Sequence, residues 1–458
     1  MMLYIQTNVN DKIKHMSKIV ISSRINQAQT KLSREQTQAI GLLSIGTFLE
    51  YFDLMLYVHM AVLLNELFFE PSNPRSASLV TAFAFCTTFV FRPIGAFIFG
   101  HIGDKSGRKA TVIITTGIMA LSCVTMANTP TYAQIGIGAS IIVTICRILQ
   151  GMSSVGEVIG AELYITETTN PPIQYPAVTF ITVASVIGST AALGMASLVT
   201  SFGLSWRIAF WIGAIISIVG GLARRTLRET PEFVDAKFKL QQKEQKDNVD
   251  RKELDAGSIV HEKVNKTSIA YSFIINCMWP ICFYFTYIHC GNLLKSGFHY
   301  TAEQVIHNNF IVSIVHLIGL LLLTYLSYKF YPLKIIKIKL VIFVIFLLFS
   351  PHIFNNITES YHLFSLQIFL VLFSVDSVPA VSIFFKHFPI FKRYTYNSVI
   401  YAFSRSLMYV ITSFGIIYLT KYFGHYGLSI VMIPISIGCA FGVLHFEKLE
   451  KKAGNYPS

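Results

Sequence analysis

Gly100-His101-Ile102-Gly103-Asp104-Lys105-Ser106-Gly107-Arg108-Lys109 is a polar stretch set between two apolar runs. Upstream, residues 77–99 carry one charge, Arg92, and downstream, residues 110–127 carry none. At ~1.5 Å per helical residue each run can cross a hydrocarbon core roughly 30 Å thick, the second only just. The spacing predicts two membrane-spanning helices joined by a ten-residue polar turn. Its glycines, three and four apart, let backbones approach closely. Lys105, Arg108 and Lys109 place it on the cytoplasmic side, because connections rich in Lys and Arg stay inside.

The rest of the chain has the composition such a hairpin needs. Of 458 residues, 53% are hydrophobic and only 13% charged, where soluble domains carry about 25% charged residues. A net charge of +13 raises the question of nucleic acid, but the basic residues lie between apolar runs and not in one patch, so membrane topology accounts for them. Seven cysteines, all in or beside apolar runs and without a Cys-x-x-Cys pair, argue against metal or disulfide roles. No Walker-type phosphate loop or ligand cluster is present, which leaves neither an enzyme nor direct ATP coupling as a reading.

Apolar stretches recur at 40–65, 77–99, 110–127, 135–161, 176–201, 206–223, 269–294, 305–328, 335–354, 362–385, 396–420 and 426–446. These predict twelve spanning helices, with both termini cytoplasmic. In that register thirty of the 37 Lys and Arg fall in cytoplasmic segments. One connection departs from the bias, since 162–175 has no basic residue. Residues 1–39 read as a cytoplasmic tail without the apolar core of a signal peptide. Residues 224–268, rich in Lys, Glu, Gln and Asp, read as a cytoplasmic linker between six-helix bundles at 40–223 and 269–446, with a second tail at 447–458.

Ionisable groups within spans carry the functional reading, because each is costly at the bilayer centre unless it meets a partner or water. In helix 1, Gly46, Glu50, Asp53 and Tyr57 share one face by their spacing, and Glu50 lies at the depth of Arg147 in helix 4. A carboxylate beside an arginine in low dielectric suits proton carriage, with Arg147 resetting it. A static ion pair and direct substrate contact are the other readings of the same residues. Gln150 can bond substrate or tie helices together. Glu157 lies where Arg92 could reach it, as an inner gate or a structural bridge. In the second half, Asp376 and Arg405 can pair across helices 10 and 11, or Arg405 can face an anion. His59, His289 and His316 are read as spacers.

The opening stretch resembles Gly-x-Leu-Ala-Asp-Arg-x-Gly-Arg-Lys, the loop between helices 2 and 3 of the major facilitator superfamily, and Arg147-x-x-Gln150-Gly151 resembles its helix 4 motif. Phe48-Leu49-Glu50-Tyr51-Phe52-Asp53, Phe91-Arg92-Pro93-Ile94-Gly95-Ala96, Pro130-Thr131-Tyr132-Ala133-Gln134-Ile135-Gly136, Ser205-Trp206-Arg207-Ile208-Ala209-Phe210 and Leu227-Arg228-Glu229-Thr230-Pro231 are similar to the metabolite-proton symporter family within it. That family includes proline/betaine, oxoglutarate, citrate and shikimate transporters, and the resemblance is nearest to the first. It covers residues 40–235 and, more weakly, 386–403.

The resemblance implies an all-α polytopic membrane protein of the major facilitator fold, working by alternating access in a bacterial inner membrane. Within that frame Glu50, Asp53 and Arg147 are read as the coupling group, and Gln150, Tyr57 and Arg405 as part of the substrate site. Gating falls to Gly100, Gly103, Asp104, Gly107 and Arg108 with Arg92 and Glu157, Asp104 capping helix 11 of the opposite half. The partners are a small solute, a proton and the bilayer, with no cofactor, no nucleic acid and a monomeric chain. Proline or glycine betaine is the expected solute, an organic acid the alternative, and a non-transporting sensor the alternative of another class. Three positions depart from the family pattern: Val155, Lys386 and Ala402. The repeat of the opening loop after helix 8, Tyr325 to Lys334, has lost its pattern too, with Tyr328 at the Asp position and Tyr331 at the Gly position.

Overall fold

The computed structural model describes residues 28–60, 87–203, 205–224, 264–415 and 426–457, with isolated positions between them. Most of the expected linker and of the N-terminal tail lies outside the described residues. The described chain is helical almost throughout: α1 (Arg34–His59), α2 (Arg92–Ser106), α3 (Arg108–Asn128), α4 (Ile137–Thr168), α5 (Gln174–Phe202) and α6 (Trp206–Arg224) form the first half. The second half holds α7 (Lys266–Phe283), α8 (Ala302–Lys329), α9 (Pro332–Asn355), α10a (Ser360–Phe373), α10b (Val381–Lys386), α11 (Ile390–Val410) and α12 (Tyr426–Lys452). Beyond α7 the chain continues as a π-turn, Tyr284–His289, and a short helix, Cys290–Gly297.

Seven of the described helices are long and apolar enough by themselves to cross a membrane. Their starts are written in the sequence. Ser33 and Gln36 close a capping box on α1, and Thr301 and Gln304 close one on α8. Pro332 opens α9 at its first position, where a missing N–H costs nothing. Large apolar side chains such as Phe97, Leu121, Ile338 and Leu348 are more than half exposed on the outer faces. Lipid in place of water makes that arrangement stable.

Within the first half α1 lies along α5 and α3 lies between α4 and α6; in the second, α12 packs on α7 and α9. Two seams join the halves, α2 against α11 and α5 against α8. Both border a cavity at the centre.

Three expectations are corrected. The ten-residue turn is mostly helix: α2 runs through Ser106 and α3 starts at Arg108, leaving Gly107 alone as the link, at φ 110°, where glycine is favoured. The basic-free connection 162–175 is largely helix as well, because α4 continues to Thr168. Helix 10 is broken, with residues 374–380 non-helical between α10a and α10b. Non-helical backbone at membrane depth survives only where protein or a watery cavity surrounds it, and Asp376, Ser377 and Val378 of this segment line the central cavity.

Candidate functional site

A buried polar chain runs through the first half. Asp53, fully buried on α1, accepts from Cys123 Sγ at 2.8 Å and from Ser217 Oγ at 3.5 Å. Gln150 Nε2 donates to the same sulfur at 3.6 Å, and Arg147 Nη1 donates to Gln150 Oε1 at 3.1 Å. Arg147 therefore meets Asp53 through Cys123 and Gln150 and not directly, because α3 inserts a thiol between α1 and α4. The Arg147 guanidinium covers the Tyr57 ring, 4.3 Å from its centroid. Gln150 and Tyr57 are thus committed to Arg147 and do not border the central cavity, contrary to their expected place in a substrate site. Asp53 Oδ1 and Arg147 Nε and Nη2 are buried with no hydrogen-bond partner. Glu50 is buried on the same face of α1.

The central cavity holds about 1280 Å³ of atom-free space, part of it open to solvent. Its wall from the first half includes Tyr51, Arg92 and Glu162, and from the second Trp279, Asp376 and Arg405. Tyr51 and Tyr401 share a hydrogen bond of 2.8 Å across the halves, and the Arg405 guanidinium sits 3.4 Å from the centroid of the Tyr401 ring. Arg405 and Asp376 do not pair as expected: Asp376 Oδ1 accepts from Ser377 N and Oγ, while Arg405 Nη1 has no hydrogen-bond partner. The break in helix 10 turns Asp376 back onto its own chain. Both charges are left facing the cavity, with Glu162 beside them. Trp279 stacks on His316 at 5.1 Å and Phe89 meets Tyr409 at 4.3 Å, which adds aromatic faces to the wall.

Arg92 and Glu157 also fail to pair. Arg92 lies over Phe89 at 4.7 Å and faces the cavity, whereas Glu157 turns towards α3 and accepts from Thr116 Oγ1 at 3.2 Å. At the basic end of the bundle Asp104 does meet α11. Its Oδ1 accepts from Tyr394 N at 3.1 Å, and its Oδ2 accepts from Thr395 N at 2.8 Å and Thr395 Oγ1 at 2.6 Å. Gly100 and Gly103 make this approach possible, since a Cβ would lie 2.8 Å from Thr395 Cα and 2.6 Å from the Tyr394 ring. Tyr394 reaches on to donate to the Gly156 carbonyl, and Arg393 pairs with Glu167 of α4 at 3.3 Å. The Arg108 side chain lies outside the described residues. At the opposite end Ser201 bonds Glu303 at 2.7 Å, and Thr190 bonds Ser313 nearer the middle at 2.5 Å.

Glu162, Tyr51, Tyr401, Trp279 and Cys123 went unassigned in the sequence. Glu162 had a usable signal, an acid in a connection without a single basic residue. Cys123 had none, being one apolar residue among many in α3.

A helical membrane chain whose two halves meet at both ends around a largely apolar cavity with charged groups in its wall has the architecture of a solute transporter. A sequence model of the Major Facilitator Superfamily matches residues 43–413, and the chain belongs to that superfamily. A Staphylococcus aureus (strain COL) protein bearing a proline/betaine transporter name is 33% identical over 217 residues, 46% of each chain. The proline/betaine transporter of Salmonella typhimurium is 28% identical over 279 residues, 58% of this chain and 54% of its own. The chain thus spans about half the length of the curated relatives it matches. In fold it is similar to a proton:xylose symporter bound to 6-bromo-6-deoxy-D-glucose, with TM-score 0.71 and 15% identity over 90% of this chain and 95% of the other. It is similar also to the human organic anion transporter TETRAN, with TM-score 0.65 and 14% identity over 90% and 100%.

Proposed function

We propose that this chain is a proton-coupled symporter of a small zwitterion such as proline or glycine betaine, in a bacterial inner membrane with both termini cytoplasmic. The observation that carries the reading is the cavity wall: Arg405 keeps an unpartnered guanidinium nitrogen, and Glu162 and Asp376 line the same space without an ion pair to it. A zwitterion answers both signs at once. Its carboxylate suits Arg405, and its ammonium suits the two acids and the Trp279 and Tyr409 faces. An organic acid would answer Arg405 and Arg92 but leave Glu162 and Asp376 facing its own charge.

Coupling is assigned to Glu50, Asp53 and Arg147. Asp53 and Arg147 each keep polar atoms unsatisfied in a buried site, a costly state that a change of partner or protonation relieves. Asp104, with Gly100, Gly103 and Gly107, closes the cytoplasmic side against α11. The test is uptake of labelled proline and glycine betaine into proteoliposomes, with and without an imposed pH gradient. Concentrative uptake only under an inward proton gradient is expected. Uptake of mono- or dicarboxylates but neither zwitterion would overturn the substrate assignment, and gradient-dependent uptake that survives Glu50→Gln with Asp53→Asn would overturn the coupling assignment.

A further inference from the structure

Tyr331 occupies in the second half the place Gly107 holds in the first: Gly107 is the N-cap of α3 and Tyr331 is the N-cap of α9. The acid that should stand three residues earlier is replaced by Tyr328, which is exposed. The contact that Asp104 makes with the opposite half therefore has no copy here. We propose that a latch of Tyr331, Glu450 and His387, docked on Tyr175, supplies this missing second closure of the basic face, a reading that rests on alternating access between the two halves.

The latch joins three separate parts of the second half through one buried carboxylate. Tyr331 Oη, from the α8–α9 connection, donates to Glu450 Oε2 near the end of α12 at 2.7 Å. His387 Nε2, just past α10b, lies 2.9 Å from Glu450 Oε1, an ion pair when the imidazole is protonated. Tyr331 thus takes one carboxylate oxygen and the imidazole stands against the other, and Glu450 is only 6% exposed. The chain beyond α12 then covers the assembly. Gly454, at φ 74°, turns it back, and the Tyr456 ring packs 4.9 Å from Tyr331 with the Lys451 ammonium 5.0 Å from its centroid.

What makes this a closure and not merely a brace is Tyr175, in the first turn of α5 of the other half. Its ring meets Tyr331 edge-on at 6.0 Å and 87° and is buried in the core of the second half. This contact between the halves is ring on ring, with no hydrogen bond to break, so it can part and re-form. Glu450 and His387 fix where the Tyr331 ring stands and thus whether Tyr175 finds it. The α5–α8 seam gains in this way what Asp104 gives the α2–α11 seam.

The experiment places a reporter cysteine, Ser185→Cys, in the cavity wall. It reads the labelling rate by a membrane-impermeant maleimide applied from the cytoplasmic face of inside-out vesicles. Glu450→Gln and Tyr331→Phe are each expected to raise that rate at least threefold, as is Asp104→Asn, while the double variant Tyr331→Phe with Glu450→Gln exceeds the larger single by less than twofold. The latch is overturned if Asp104→Asn raises the rate while Glu450→Gln, Tyr331→Phe and Tyr175→Leu all label as the parent and elute and melt as folded protein. If Asp104→Asn also leaves the rate unchanged, the alternating-access reading itself fails and the latch with it.

Discussion

Replacing Asp104 with Asn keeps the size of the side chain and removes the charge that receives α11. The carboxylate takes three hydrogen bonds from α11, one on Oδ1 and two on Oδ2. An amide has one accepting oxygen. In its better orientation the Asn oxygen stands in for Oδ2 and keeps the two Thr395 bonds, while its nitrogen turns a donor towards the Tyr394 N–H. One bond is lost outright and two fall from charge-assisted to neutral, each step worth roughly 1 kcal/mol. Asp104 is half-buried, so solvent screening takes back part of the sum and leaves about 2 kcal/mol. The open-to-closed ratio at this face should rise ~30-fold.

The assay is the distance between spin labels across the α2–α11 seam, measured by pulsed electron resonance on protein in nanodiscs, which returns the populations of both states. Gly100→Ala serves as the matched perturbation. It pushes Thr395 away by contact while leaving the charge intact, so it should open the same face without the salt dependence that Asp104 carries. An open population that changes less than about threefold in Asp104→Asn would refute the assignment of the closure to this carboxylate.

Arg405→Lys should raise the KM for a zwitterion by ~10-fold and Arg405→Ala by ~100-fold, because a charged hydrogen bond is worth roughly 1.5–3 kcal/mol; uptake kinetics unchanged in both would remove Arg405 from the site. Cys123→Val leaves Asp53 without its nearer donor and should cost ~1–3 kcal/mol of stability, with Cys123→Ser costing less than half as much. Thermal unfolding in detergent measures this, and equal losses in the two variants would point to packing instead. The third outcome concerns pH at the basic face. Burial raises the pKa of Glu450, but His387, the Tyr331 hydroxyl and nearby Lys386 outweigh it and hold the carboxyl below its ordinary value. A lowered carboxyl stabilises the closed latch above the ordinary value of about 4.3, and that support is lost as pH falls through the lowered pKa. The support that Glu450 gives through its own charge should therefore vanish in acid, and cavity labelling of Glu450→Gln should lack the acid-side rise seen in the parent.

The parts of this molecule that were legible from sequence are those where one residue type has one physical use. The family resemblance sets Asp104 against helix 11, and its carboxylate lies against Tyr394 and Thr395 in the second turn of α11. Glu162 was hidden because hydropathy falls after Ala161 while helical hydrogen bonding continues to Thr168; a polar helix end reads like a loop. The break in helix 10 was hidden because apolar runs flank the non-helical segment on both sides, although Ser374, Asp376, Ser377 and Pro379 within it mark the interruption. Distances from the helix ends place Glu50 at the depth of Arg147, with Asp53 about one turn further along α1. Counting along α1 and α4 cannot reveal that α3 brings Cys123 between Asp53 and Arg147.

The loss of the second loop motif looked like decay of the second half, and on that ground a non-transporting sensor was a consistent alternative. The structure supports a different argument. A decayed face accumulates exposed polar ends and unfilled space, yet Glu450 accepts from Tyr331 with His387 against its other oxygen, and Tyr175, Phe384 and Phe446 fill the region around it. The two closures also differ in kind. One is a half-buried carboxylate on backbone N–H groups, and the other is a ring contact positioned by a buried carboxylate, on separate seams with no shared partner. Sites so placed add in free energy, whereas groups within one hydrogen-bonded set do not. Asp104→Asn with Glu450→Gln should thus open the face by the product of their separate effects, while Tyr331→Phe with Glu450→Gln should not. A double variant of the first kind no more open than either single would mean that one closure merely relays the other, and the replacement of a charged gate by an aromatic one would lose its basis.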